Sequence, residues 1–401
     1  MDLPAFQGIR LKEARTAREM TAASVAQRVG VTGPSVTNWE KGRAQPRAQA
    51  RTALSRVLEL PEHYFLRPPS ETAPESFRFR SLSAATKRAR RAAEVKGRWL
   101  HEVVEFLGTE LELPSVNLPD LDLPHDPNKL TSEDIEKAAA DTRAHWGLRD
   151  GPIPNVTRLL EANGIVVARF ALNAAELSGL SSLSTEGRPY VILNIEKASC
   201  VRSRFDAAHE LGHLILHRTA TPKPESALHK KMELQAHRFA GAFIFPLSAV
   251  KDEVCSYSLD SLVELKRRWK LSLGAQVYRL LNAGIIGTRE QRNLHRQIGL
   301  RQWRTWEPLD DELPRESPTL LSSSYELLCE EAGVSPIAIL RAVPLAPHDH
   351  QLLAGLPTGW MEGQKPAGQL VRLRPEPRKP ISVENERTAK VIRFPGRRES
   401  D

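Results

Sequence analysis

His209 and His213 stand four residues apart in the stretch FDAAHELGHLILH, with Glu210 directly after the first. Residues at that spacing share one face of a helix. The surrounding Val201, Phe205, Ala208, Gly212 and Ile215 follow a helical period, so the segment reads as a helix with a buried face. Two neutral imidazoles one turn apart can share a tetrahedral zinc, and a carboxylate next to the first can act as general base on a water at the metal. A zinc there would acidify the water and polarise a carbonyl, while Glu210 takes the proton and hands it to the leaving amine. The chemistry to expect is peptide hydrolysis.

A catalytic zinc takes three protein ligands, and the third must come from elsewhere. His217 lies two helical turns past His209, roughly 12 Å along the axis, too far to share one ion while the helix continues. Glu233 is the better donor. It opens ELQAHRFA on the next long helix, where Ala236 and Ala240 permit close approach; His237 and His229 stand behind it as alternatives. Asp206 could orient the His209 ring or could be a surface aspartate. Tyr190, His217 and His237 are candidates for stabilising an oxyanion. The run RPYVILN could be an edge strand that pairs with an extended peptide, or a buried sheet strand.

A second constellation lies near the N-terminus. Thr21 to Val29, a turn at Gly30, and Thr32 to Glu40 read as helix, turn, helix, closed by Ala26, Val31, Val36 and Trp39. Thr32 is placed to cap the second helix, and the candidate DNA contacts are Thr32, Ser35, Thr37, Asn38, Lys41 and Arg43. The starts of the two helices carry Ala22, Gly33 and Pro34 where long polar side chains would read bases. That leaves Asn38 as the one well-suited base reader, and DNA binding of low sequence specificity is expected. The basic charge of this part separates it from a plain helical hairpin: residues 1–100 hold 19 Lys/Arg against 9 Asp/Glu in a chain whose net charge is +8, so the remainder is slightly acidic.

The elements that must position these residues divide the 401-residue chain, which exceeds one ordinary core. The division expected is a helix-turn-helix domain at 1–66, a linker and connecting helix at 67–129, a zincin-like α+β domain at 130–250, a C-terminal helical region at 251–362 and a disordered basic tail at 363–401. The fold class is therefore multidomain, all-α at the N-terminus and α+β after it. Long helices are expected over Ala84–Leu111, Ser132–Trp146, Lys197–His217 and Ala227–Phe245, shorter ones over Leu259–Trp269 and Leu273–Ala283, and two short segments beyond Leu320. GIVVARF and RPYVILN are the β-rich runs. Cys200, Cys255 and Cys329 are far apart and form no CxxC pair, which suits a reducing cytoplasm. No stretch is long and apolar enough to predict a membrane span.

At HELGHLILH with the following ELQAHRFAGAFIFP, the sequence resembles the ImmA/IrrE family of metallo-endopeptidases. VGVTGPSVTNWEKGRAQP resembles the helix-turn-helix of phage-repressor-like (XRE) regulators, and RFRSLSAATKRARRAAE and HWGLRDGPIPN resemble the connecting pieces of fused members. The resemblance covers about residues 7–65 and 130–285. It implies zinc at His209, His213 and Glu233, catalysis by Glu210, and a helix-turn-helix repressor as the protein substrate, cleaved to derepress stress-response or mobile-element genes. Two other functions compete: a non-enzymatic transcriptional regulator whose zinc domain senses a ligand or partner, and an antitoxin-like or mobile-element regulator whose helix-turn-helix binds protein rather than DNA.

Overall fold

The computed structural model describes residues 5–74, 77–79, 86–173, 178–196, 199–218, 220, 226–363 and 392–393. Helices α1 (Gly8–Ala17), α2 (Ala22–Val29), α3 (Gly33–Glu40) and α4 (Ala48–Leu58) form the N-terminal unit, closed by a 3-10 turn at Glu62–Leu66. Thr21 caps α2 by accepting from the Ser24 N–H at 3.1 Å. Gly30, at φ 78°, ends α2 in the left-handed region where only glycine sits without strain. Thr32 occupies the N-cap position of α3, but its hydroxyl pairs with the Ser35 hydroxyl at 2.8 Å instead of a backbone N–H, contrary to the capping expected of it.

The chain continues through β1 (Arg78–Phe79), α5 (Thr86–Glu110) and β2 (Leu111–Glu112), then α6 (Ser132–His145) and α7 (Val156–Ala162). Helix α6 opens with a reciprocal Thr131–Asp134 capping box. Strands β3 (Val166–Phe170), β4 (Gly179–Leu183) and β5 (Pro189–Asn194) follow, then α8 (Cys200–Leu216) and α9 (Ala227–Ile244). After them come α10 (Leu247–Glu253), α11 (Leu259–Trp269), α12 (Leu273–Asn282), α13 (Thr288–Leu300), α14 (Leu320–Glu330), α15 (Pro336–Ala342), α16 (Pro347–Ala354) and β6 (Ile392–Arg393). No expected element corresponds to β4 or α13, and three helices stand where two short segments were expected beyond Leu320. The residues proposed to start α5 and α8, Ala84 and Lys197, lie outside the described residues. So does most of the tail expected to be disordered, apart from Ile392–Arg393, which pair with Leu111–Glu112.

The main sheet has the order β1-β4-β5-β3, with β5 parallel to β3 and antiparallel to β4. RPYVILN is therefore an inner strand and cannot take up a peptide by edge pairing; β4 is the strand toward the outer side, next to the two-residue β1. Alternate residues of a strand point to opposite faces, and here each face enters a different core. Val166, Ala168, Phe170, Tyr190 and Ile192 belong to one, Val167, Val191 and Leu193 to the other. Both faces being covered, β3 and β5 read as nearly continuous apolar runs.

The first core joins the N-terminal helices, α5 and α14 to α16; the second joins α6 to α9 with α11 to α13. The N-terminal unit is thus continuous with the body through α5. The Trp99 indole donates to the Tyr64 hydroxyl at 3.0 Å, Arg10 pairs with Glu102 at 2.6 Å, and Arg98 pairs with Glu13 at 3.0 Å. Arg18 grips Asp349 of α16 with two bonds of 2.7 and 2.6 Å. The segment read as a linker after Arg67 is also fastened, since the carbonyls of Arg67 and Pro68 accept from the buried Arg10 guanidinium at 3.0 and 2.8 Å.

Candidate metal centre

Helix α8 lies between the sheet and α9, so nearly every one of its residues is buried, including the charged Asp206 and Glu210. Gly212 sets the separation of the two helices: a Cβ at that position would stand 3.1 Å from the Phe239 ring and 3.2 Å from the Ala236 backbone. The small residues at 212 and 236 therefore let α9 come close enough for Glu233 to reach the histidines.

His209 Nε2 and His213 Nε2 lie 3.2 Å apart, His209 Nε2 is 3.2 Å from Oε2 of Glu233 and His213 Nε2 is 3.2 Å from its Oε1, and the three residues form a group able to hold a metal ion. Donors placed ~2.0–2.1 Å from a tetrahedral zinc stand about 3.3 Å from one another, so each of these three separations has the length of one edge of such a site. Burial alone would raise the Glu233 carboxyl, but the contacts to His209 and His213 outweigh it and hold the group well below the usual carboxylate range. His229 approaches Glu233 only to 3.8 Å, and the His237 ring centroid is 6.3 Å from that of His209.

The outer nitrogen of His213 is held by a chain of hydrogen bonds with one consistent direction. Gln235 Nε2 donates to the Pro127 carbonyl at 2.7 Å, which turns Gln235 Oε1 toward His217 Nε2 at 3.0 Å. An amide oxygen only accepts, so His217 carries its proton on Nε2 and presents a lone pair at Nδ1. His213 Nδ1, 3.1 Å from that lone pair, must donate, and His213 Nε2 is left as a lone pair facing His209 Nε2 and Glu233. His217 is thus a support for His213 on the side away from the site.

Glu210 is buried at the start of β4: a Cβ on Gly179 would be 3.1 Å from its Oε1. Any side chain at 179 would crowd the carboxylate. Tyr190, one of the oxyanion candidates, is removed from the site. It points into the first core, across the sheet from α8, where its hydroxyl meets His101 Nδ1 at 2.7 Å and burial raises its pKa.

The comparisons with known proteins bear on both constellations. Residues 160–281 match the model of the IrrE N-terminal-like domain of the M78 peptidases, and residues 8–64 match a helix-turn-helix domain model. The chain joins a helix-turn-helix domain to an IrrE N-terminal-like domain. A search of curated proteins finds no match. His209, Glu210, His213 and Glu233 all lie inside the IrrE N-terminal-like segment, a peptidase family whose members are typically metal-dependent.

The helix-turn-helix domain contains the other six candidates. Lys41 and Arg43 are exposed just beyond α3, Asn38 is half-buried, and the Thr37 hydroxyl turns back to the Gly33 carbonyl at 3.2 Å. Where long base-reading side chains are missing, a shallow depression lined by Ala22, Ala23, Gly33, Pro34, Thr37 and Asn38 takes their place. No described helix is long and apolar enough to cross a membrane.

Proposed function

We propose that the protein is a zinc-dependent endopeptidase whose substrate is a helix-turn-helix transcriptional repressor, and that it acts in the cytoplasm with its own helix-turn-helix domain in contact with DNA. The observation that carries this is the meeting of His209, His213 and Glu233 at zinc-ligand spacing, with Glu210 buried beside them. When bound, zinc supplies a Lewis acid that acidifies water and polarises a peptide carbonyl.

The residues of the chain do the rest. His209 and His213 offer lone pairs, the latter fixed by His217 and Gln235, and Glu233 adds the charge that favours a divalent cation. Glu210 accepts a proton from the attacking water and delivers it to the leaving amine, which its place one residue after His209 permits. Fusion to a DNA-binding domain keeps the peptidase near DNA-bound repressors, and the resemblance to the ImmA/IrrE family supports cleavage as a route to derepression. Three free cysteines accord with a reducing compartment.

The test is Glu210→Gln, an amide of almost the same shape that cannot take the proton. Co-expressed with helix-turn-helix repressors and a reporter under their control, the wild-type chain should cut a repressor and raise the reporter. The variant should retain zinc and fold but do neither. Regulation that persists in the variant with no cut product in either case would make the chain a zinc-bearing sensor and end the peptidase reading.

A further inference from the structure

A row of rings leads away from the metal centre. His237 stands one turn after Glu233 on α9, with its ring 6.3 Å from His209, and on its other side lies Tyr278 of α12 at 5.8 Å. Tyr278 in turn stands 5.2 Å from His295 of α13. The row ends in an open cleft between α12 and α13 lined by Tyr278, Arg292, His295, Arg296, Leu300 and Arg304, with no carboxylate among its lining residues.

Among the described residues, no carboxylate forms an ion pair with the arginines of this cleft. Two arginines on neighbouring helices have acidic partners: Arg279 pairs with Glu136 at 2.6 Å and Arg268 with Glu253 at 2.9 Å. The side chain of Arg292 instead donates to the Thr288 carbonyl, and that of Arg296 to Asn293 Oδ1, both at 3.1 Å. The Arg304 guanidinium lies over Gly299, where a Cβ would stand 3.2 Å from it. The buried Nε2 of His295 has no hydrogen-bond partner among the described residues. Its pKa is lowered by burial and by Arg304, a sign of the local positive potential. Beside this charge, Leu300 is 76 % exposed and Tyr278 46 % exposed.

We propose that the cleft is a subsite for an acidic segment of the polypeptide substrate, its carboxylates facing Arg292, Arg296 and Arg304 and a neighbouring apolar side chain resting on Tyr278 and Leu300. The proposal rests on reading the metal centre as a peptidase and adds a substrate class to it. Extended chain advances about 3.4 Å per residue, so the two ring-to-ring steps from His209 to Tyr278 correspond to roughly four residues from the bond to be cut. DNA is the other polyanion in reach of this protein, but three observations favour a peptide. The cleft adjoins the metal centre, it offers exposed apolar surface that a phosphate backbone does not need, and its helices share the core of α8 and α9, whereas the helix-turn-helix belongs to the core across the sheet.

The experiment is fluorescence anisotropy with the full zinc-loaded chain carrying Glu210→Gln, so that bound peptide stays intact. The probes are a short fluorescein-labelled peptide with a Leu-Glu-Glu centre, its Leu-Lys-Lys counterpart and a short labelled duplex. The Glu peptide should bind more tightly than the Lys peptide, and Arg292→Glu/Arg296→Glu should weaken it by about tenfold or more, the scale of one lost charge contact. Both positions are exposed on α13, so circular dichroism and zinc content should match the parent; Arg304→Glu, outside the helix, repeats the test without touching α13. Equal binding of the Glu peptide by parent and variants overturns the subsite, and so does a loss confined to the duplex, which would assign the cleft to DNA. Charge-dependent peptide binding in a chain that cuts no repressor would uphold the subsite while the peptidase reading fails. Repressor cleavage indifferent to these arginines would do the reverse.

Discussion

At the scale of single residues, the metal centre depends on which nitrogen of His213 bears the proton. The chain from Pro127 through Gln235 and His217 leaves Nε2 bare, and such supports of a ligating histidine are worth about 10–100-fold in metal affinity. His217→Phe fills the space but accepts no hydrogen bond, so it should weaken zinc binding by about that factor in a chelator competition. His217→Asn places an oxygen near the lost Nδ1 and should recover most of the affinity. Glu233→Ala removes a proposed ligand outright and sets the floor for the comparison. A Phe variant that binds zinc as tightly as wild type, or an Asn variant no better than Phe, would reduce His217 to packing. The meeting of His209 and His213 was legible in the sequence because helical spacing alone puts them on one face. The role of His217 was not, because Gln235 and Pro127 reach it from distant parts of the chain.

At the scale of elements, α7 and α14 are joined by one carboxylate. Glu161, near the end of α7, accepts the Thr319 N–H at 3.0 Å and the Leu320 N–H at 2.9 Å and so closes the start of α14. Burial raises its pKa to about 7 from the ordinary 4.5, against the pull of these N–H groups. An acid whose pKa is raised on folding contributes stability that is complete below the unfolded value and lost as pH rises through the folded one. The loss here is up to about 3 kcal/mol between roughly pH 4.5 and 8. Glu161→Gln keeps an acceptor and has no proton to lose, so its stability relative to wild type in urea should improve from pH 5 to pH 8. A difference that stays flat over that range would mean the carboxyl titrates normally. Strands β3 and β5 announced themselves as apolar runs, but β4 did not. Its GLSSL is short and polar, and what makes it a strand is pairing with β5 and the closeness of Gly179 to Glu210, neither of which has a sequence period.

At the scale of the whole molecule, the sheet is a wall between two cores, and the helix-turn-helix domain rests against one side of it through α5 and α16. The helix-turn-helix pattern was plain in the sequence, yet its dependence on the rest of the chain was hidden, because Arg10, Glu13, Arg18 and Tyr64 each also have a partner outside it, in Glu102, Arg98, Asp349 and Trp99. A fragment of residues 1–66 exposes the Tyr64 surface that Trp99 covers and leaves the Arg10–Glu13 pair, buried in the full chain, without its outer partners Glu102 and Arg98. Removing one partner of a buried ion pair costs about 3–5 kcal/mol while the survivor stays buried, and in a fragment part of that is relieved by water. Small domains have only about 5 kcal/mol to lose. The fragment should therefore melt well below the full chain by circular dichroism, with a broad transition. Extending it to residue 110 restores Trp99, Glu102 and Arg98 and should sharpen and raise the melt, although the Arg18–Asp349 contact with α16 is still missing. If residues 1–66 melt as sharply and as high as residues 1–110, the helix-turn-helix is an independent module merely leaning on α5, and signals from the metal side of the sheet would have no packed route to it.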